Sequence, residues 1–257
     1  MNEKTVLITG GASGIGRKTA EILAESGKNV IINYRHSQDK ANELVQFLNE
    51  RFHTNNIAIQ GDISQLDDCE RLVKKSLEKF PSIDIVIHNA GPYIHERKKV
   101  TNYTADEWNY LVNGNLNGVF YLSKLLIPQM RKKGWGRLIT FGFDRIETAP
   151  GWIFRSAFAA AKVGVASLTR TIALEEAENG ITANMVCPGD IIGKWKELSI
   201  AEVEGVSDTS SPVSRPGTGE DVGRVISFLC DEKSDFITGA IIPVTGGKDV
   251  LGKVYKI

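Results

Sequence analysis

The 257-residue sequence has little from which to build disulfides or metal centres. Its three cysteines, Cys69, Cys187 and Cys230, are odd in number and far apart. No disulfide framework or paired-cysteine metal motif can be drawn from them, so a reducing, cytoplasmic setting is expected. A surplus of either charge is also missing, with 31 basic residues against 31 acidic ones. Such a balance argues against nucleic acid or an anionic membrane as the main partner. Short basic runs such as Arg131-Lys132-Lys133 read as a solvated helix end. No apolar run approaches the ~18 residues of a membrane span. Met1-Asn2-Glu3-Lys4 leads straight into a strand pattern, so no signal peptide is expected. Linkers, repeats and low-complexity stretches are missing as well. With 42% hydrophobic and 24% charged residues, the chain can close the core of one large α/β domain spanning 1–257.

What is present is a regular alternation. Short apolar runs at 6–9, 30–34, 57–60, 85–88, 137–141, 182–186 and 241–244 read as seven strands. Between them lie helical patterns at 14–25, 39–51, 66–80, within 105–133 and at 156–178. The strand runs lack strict apolar–polar alternation, as expected when both faces are covered. Alternating strands and helices predict an α/β fold: a doubly wound parallel sheet with helices on both faces. Such sheets bind ligands beyond the carboxyl ends of their strands. The least regular stretch, 190–219, is a candidate mobile flap over that cleft.

The segment Thr9-Gly10-Gly11-Ala12-Ser13-Gly14-Ile15-Gly16 follows the first strand and opens the first helix. Glycines let the backbone approach a pyrophosphate, and a helix start offers free N–H groups with a partial positive charge. Further motifs follow in order: Asp62-Ile63, Asn89-Ala90-Gly91, Asn115, Lys162, Pro188-Gly189, Arg215-x-Gly217, Ile237-Thr238-Gly239 and Gly246-Gly247. Along essentially the whole chain these resemble the short-chain dehydrogenase/reductase family. The nearest resemblance is to its beta-ketoacyl-carrier-protein reductase branch.

The resemblance implies a Rossmann-type fold, a nicotinamide dinucleotide cofactor and oxidoreductase activity. It puts Gly10, Gly14 and Gly16 around the phosphates, Asp62 at adenine, Asn89 along the cofactor cleft and Lys162 on the nicotinamide ribose. Ser13, Ile15, Ile63, Ala90, Gly91, Pro188 and Gly189 join the implied cofactor-binding set. Asn115 and Lys162 are the implied catalytic residues that remain. At the end of the second strand, Asn33-Tyr34-Arg35-His36-Ser37 has no carboxylate to hold a ribose 2′-hydroxyl. Arg35 and Ser37 would instead meet a 2′-phosphate, so NADP(H) is favoured over NAD(H). Members of the family commonly form tetramers through two long helices, here those within 105–133 and 156–178, so a homotetramer is expected.

At the reacting end the chain departs from the pattern. The family carries Tyr-x-x-x-Lys, and here the segment is Phe158-Ala159-Ala160-Ala161-Lys162. Positions 158 and 162 share a helix face, so a lysine there can tune a tyrosine hydroxyl. A phenyl ring has no proton to give. The family's serine position falls on Phe143, with Thr140 and Asp144 as neighbours in the alignment. Gly193 stands where a threonine often holds the carboxamide. The tyrosine of related enoyl reductases would fall on Arg155. Tyr93 and His95 are the candidate replacement proton donors. Asp144 and Arg155 could pair or bind a charged ligand. Cys187 reads as a small buried thiol.

Two phenylalanines would make a drier pocket suited to an aromatic or acyl group. The resemblance puts the family's basic docking positions for a carrier protein on Gly134 and Asn179, beside Glu175-Glu176, which argues against carrier-bound substrates. Two functions remain. One is a reductase of a carbonyl or activated double bond with an atypical proton source. The other is a catalytically impaired nucleotide binder acting as a sensor or partner subunit.

Overall fold

The computed structural model describes residues 4–249 and Leu251. The expectation for residues 1–3 and the far end of the 1–257 span lie outside these residues. Seven strands alternate with helices. They are β1 Thr5–Ile8, α1 Gly14–Glu25, β2 Asn29–Tyr34, α2 Gln38–Phe52, β3 Ile57–Gln60, α3 Leu66–Leu77 and β4 Ile85–His88. Then come α4 Ala105–Val112, α5 Gly118–Lys133, β5 Gly136–Phe141, α6 Ser156–Glu176, β6 Ile181–Pro188, α7 Gly219–Leu229 and β7 Ile241–Val244. All seven strands are parallel, in the order β3-β2-β1-β4-β5-β6-β7. The order reverses between β1 and β4, and that switch point is where a ligand crevice opens in such sheets.

Burial explains the unbroken apolar runs. Val6, Ile8, Val30, Ile32, Ile85 and Ile87 point to one face and pack with Leu23, Leu44 and Ile226 of α1, α2 and α7. Leu7, Ile31 and Val86 point the other way and pack with Leu72, Leu126 and Ile172 of α3, α5 and α6. Both faces of each inner strand are therefore dry, and strict alternation would place polar groups in a core. Pro243 sits in β7 at the edge of the sheet, where a missing N–H costs no ladder bond.

Several boundaries differ from the sequence expectation by a residue or two, as β1 at Thr5–Ile8 does, and three differ for a visible reason. The helix 66–80 stops at Leu77, and a closing turn follows in which Phe80 N–H donates to Ser76 O at 3.0 Å. Pro81 comes next and disfavours helical backbone at the residue before it. The helix beginning at Ser156 tightens into a 3-10 turn at Ala177–Asn179 and ends at Gly180, with φ +68. A Cβ there would lie 2.3 Å from Gly134 O. The long helical stretch 105–133 is split by a π-turn at Asn113–Asn117. Gly114 passes so close to Pro92 that a Cβ would meet its ring at 2.4 Å. Asn115 Nδ2 donates to Leu111 O at 3.0 Å and Pro92 O at 2.9 Å. A single wide turn of this kind is a recurrent feature of functional sites.

The span Ser156–Asn179, with a mean hydropathy of 1.3, is long and apolar enough to cross a membrane, contrary to the expectation that no run approaches that length. Half of it is buried inside the molecule, and it forms one side of the core described above. The stretch 190–219 contains 3-10 turns at Gly193–Lys196 and Ala201–Val203. It runs beside α7, with Ile200 N–H donating to Glu220 at 2.7 Å.

Candidate active site

A cleft of about 830 Å³ opens at the carboxyl ends of the central strands, and most of the residues singled out above line it. Its first wall is the glycine turn. Gly10 and Gly14 have φ +59 and +61, backbone that side chains disfavour. A Cβ on Gly16 would lie 2.6 Å from Asn89 Nδ2. That amide donates to Thr9 O and Gly10 O, both at 3.0 Å, and Ala90 N–H donates to Thr9 Oγ1 at 3.0 Å. The end of β4 thus fixes the turn after β1, across the switch point. Gly16 itself is buried beneath Asn89 rather than on the cleft wall.

Ser13 takes the N-cap position of α1, and its side chain makes no capping bond. The first turn has no acidic residue of its own. A carboxylate arrives from elsewhere: Glu197, just past the Gly193–Lys196 turn, accepts from Gly14 N–H at 2.6 Å. Free N–H groups and the helix dipole make this an anion site, and here a side-chain carboxylate stands in for the anion.

Arg35, exposed at the end of β2, donates to Asp62 and to the Tyr110 hydroxyl, each at 3.4 Å. The Tyr110 bond, with Asp62 behind it, holds the guanidinium above its ordinary pKa against slight burial. Partial burial pushes the Asp62 carboxyl up, but bonds from Ser64 and the charge of Arg35 outweigh it, leaving the acid below its usual range. Ile63, beside Asp62, also lines the cleft. Ser37 does not: it lies at the start of α2, exposed, with no side-chain capping bond.

Deeper in, Asn115 and Lys162 converge on Gly91. A Cβ there would be 2.4 Å from Asn115 Oδ1 and 3.5 Å from Lys162 Nζ. Asn115 Oδ1 is buried and has no partner. Burial pulls the Lys162 ammonium down to about 8. His88, one residue before Asn89, is buried with both ring nitrogens unpartnered and is driven down to about 3, by burial first and by the charge of Lys162 second. Sequence reasoning missed His88. Its signal was a histidine ending an otherwise apolar strand. Pro188 and Gly189 close this wall from β6.

The remaining wall is aromatic. Phe158 and Lys162 are one helical turn apart on α6, with Nζ 5.8 Å from the ring centroid. Phe158 packs against Tyr93 and Trp152, with centroids 5.0 and 5.9 Å away. Trp152 in turn meets Phe143, buried at the end of β5, at 5.0 Å. Neither Phe143 nor Phe158 brings a hydroxyl to the cleft. Thr140 does not replace it, since its hydroxyl is buried and bonded to Thr169 Oγ1 at 2.8 Å. Cys187 is buried, and burial pushes its thiol up to about 12. Arg155 bonds to Tyr93 and to loop carbonyls. Gly193, in the 190–219 stretch, has nothing within 4 Å of where a Cβ would stand.

The chain as a whole has close relatives among known proteins. The family model described as enoyl-(acyl carrier protein) reductase matches residues 10–249. The chain belongs to the short-chain dehydrogenase/reductase family. Among its relatives, YtkK of Bacillus subtilis (strain 168), named as an oxidoreductase, is 50% identical over 248 residues, covering 96% of this chain and 97% of that protein. The 3-oxoacyl-[acyl-carrier-protein] reductase FabG of Staphylococcus aureus (strain Mu50) is 33% identical over 244 residues, with 95% and 97% covered. A solved structure from Bacillus thuringiensis, described as a 3-oxoacyl-reductase, superposes with a TM-score of 0.90. It is 47% identical and covers 97% of this chain and 99% of its own. The acetoin dehydrogenase YohF of Salmonella typhimurium, 25% identical, gives 0.87 over 99% of both chains. In a short-chain dehydrogenase/reductase, then, the glycine turn, the lysine and the aromatic wall share one cleft.

Proposed function

We propose that this short-chain dehydrogenase/reductase is an NADP(H)-dependent reductase of a carbonyl or activated double bond, with an atypical proton source. One observation carries the reading: a single cleft joins an anion-binding helix start, an exposed arginine and a buried lysine to an aromatic chamber. The residues present fit a dinucleotide. Gly10, Gly14 and Gly16 leave the space that a Cβ would fill or strain, and Asn115 Oδ1 lacks a partner. Gly14 and Ile15, at the start of α1 beside Ser13, would hold the pyrophosphate. Asp62 and Ile63 would border adenine, and Arg35 would hold a 2′-phosphate through paired donors. Lys162 and Asn115 would hold the nicotinamide ribose, with Asn89, Ala90, Gly91, Pro188 and Gly189 lining the path. When bound, the reduced cofactor supplies a hydride.

The aromatic wall of Phe143, Trp152 and Phe158 favours a substrate whose reacting carbon carries an aromatic or apolar group. A carrier-protein partner is not favoured. Near Gly134 and Asn179 the Arg131 guanidinium is bonded to Glu176 at 2.7 Å, and Asn179 donates to the same carboxylate. A second reading, a nucleotide-binding sensor or partner subunit, rests on the family's tyrosine and serine positions being Phe158 and Phe143. Phe120, half exposed on α5, and Leu174, 83% exposed on α6, favour assembly through those helices into a homotetramer. Light scattering that returns a monomer would overturn the assembly. The absence of paired cysteines supports a cytoplasmic setting, and the balanced charge supports neither nucleic acid nor a membrane as partner.

Calorimetric titration with NADPH and NADH, followed by a panel of aryl and alkyl ketones, tests the reading. Micromolar binding that prefers NADPH, with cofactor-dependent turnover, is expected. Binding without turnover would leave the sensor reading. No binding of either nucleotide would overturn both.

A further inference from the structure

The reductase reading leaves the proton without an owner, because Phe158 and Phe143 have none to give. We infer that Tyr93, backed by Arg155, delivers it; the inference rests on the reductase reading above.

Tyr93 stands on the loop after β4, two residues beyond Gly91, and lines the cleft. Its ring meets that of Phe158 edge to face, with centroids 5.0 Å apart and planes at 86°. A ring in contact with Phe158 therefore brings a hydroxyl to the same cleft. Tyr93 Oη accepts a hydrogen bond from Arg155 Nε. The rest of that guanidinium is committed to backbone. Nη1 donates to Glu96 O at 2.8 Å and Phe154 O at 2.9 Å, and Nη2 donates to His95 O at 3.1 Å. Four bonds fix the cation, and Nε faces the phenol. A phenol oxygen that accepts from a fixed cation keeps its own hydrogen free to donate to a ligand. The same cation stabilises the negative charge left on the oxygen after transfer.

The backbone that presents Arg155 is held under strain. Between β5 and α6, Arg145, Ala149 and Phe154 have φ 58, 49 and 63, the left-handed region. Such conformations persist in side-chain residues only where the surroundings enforce them. Phe154 O is one anchor, accepting from Tyr103 Oη at 3.3 Å as well as from Arg155.

The other candidates are weaker. His95 is exposed, and the bond it makes to Arg155 runs through its carbonyl rather than its ring. The thiol of Cys187 is buried in the core behind Phe143. In the step itself, a bound reduced nicotinamide would supply hydride to the carbonyl carbon, whose π pair would move to oxygen. That oxygen takes the Tyr93 proton, and the phenolate, paired with Arg155, recovers a proton from water in the open cleft. Arg155 is a positioning residue and Tyr93 the donor.

The test uses full-length protein and Tyr93→Phe. The probe is acetophenone with an isotope-labelled carbonyl, whose C=O stretch is read by infrared difference spectroscopy without cofactor. In the natural protein the stretch should shift down on binding. In Y93F the shift should vanish and the ketone should bind three- to tenfold more weakly, as for one lost neutral hydrogen bond. NADPH affinity should be unchanged, which also shows that the variant is folded. Turnover should fall about a hundredfold or more. An unchanged stretch or unchanged turnover in Y93F overturns the inference, as does failure of the ketone to bind at millimolar concentration. A Tyr93-dependent shift in a natural protein that turns over no ketone overturns the reductase reading and leaves the Tyr93 contact standing.

Discussion

The two ends of the cleft use their polar groups in opposite ways. At the nucleotide end the working groups are backbone: N–H groups at the start of α1, exposed by glycines, and carbonyls clamped by Asn89. Side chains there mainly stay out of the way, as Gly16 does beneath Asn89. At the reacting end the polar groups belong to side chains on long-range loops, and the wall is aromatic. An anion site of the first kind asks only for small residues and a helix start. Proton delivery asks for one hydroxyl in one place. A chain can therefore keep the first while the second is rebuilt.

The sharpest test of that contrast is Phe158→Tyr. If the reacting end lacks only a hydroxyl, ketone reduction should rise by a factor of ~100 to 10,000, read as NADPH oxidation with an aryl ketone. No rise, even with Phe143→Ser added, would mean that the chamber has been rebuilt around another donor. At the opposite end, Gly16→Val drives a side chain into Asn89 and Gly10 O, 2.6 and 2.9 Å from the new Cβ. NADPH binding by calorimetry should fall about a hundredfold or more.

Lys162 joins the two ends, and its burial gives a pH signature. Its folded value, about 8, lies below the ordinary 10.5. Between these values the unfolded chain holds more protons, so stability rises as pH climbs from about 8 to 10.5. Below 8 the buried charge costs its full amount, of order 3 kcal/mol. Lys162→Met should therefore raise the Tm of the free protein near pH 7, with the advantage shrinking towards pH 10.5. A pH-independent difference would mean that the lysine is better solvated than its burial implies.

Smaller effects grade the nucleotide end. Arg35→Ala should weaken NADPH about tenfold and leave NADH unchanged; equal losses would remove the case for a 2′-phosphate. Smallest of all, Glu197→Gln removes the charge now held by Gly14 N–H. NADPH should then bind about threefold more tightly, and the opposite sign would make Glu197 part of the cofactor site.

Much of this was legible in the sequence. The strands at 57–60, 85–88 and 241–244 and the helix at 14–25 were read to the residue, because short apolar runs and a glycine-opened helix leave local marks. Positions 10, 14, 89, 91, 115 and 162 were singled out and do line one cleft. What escaped depends on distant contacts. The π-turn at Asn113–Asn117 follows from Pro92 pressing on Gly114, and nothing within the helix pattern announces it. Ser37 was expected at the cofactor and lies outside the cleft, because α2 begins there and turns its side chain elsewhere. His88 was read as the end of a strand, which it is, and only the fold shows its ring buried without partners.

The sequence alone determined the doubly wound sheet, the helix start that can hold an anion and the two phenylalanines at positions 143 and 158. These are properties of composition and of spacings no longer than a turn. The tertiary structure decided the rest: that a carboxylate from residue 197 caps Gly14, and that Tyr93 and Arg155, 62 residues apart, meet beside Phe158. Hydrogen bonds act over about 3 Å, and only the folded sheet brings such distant segments within that reach.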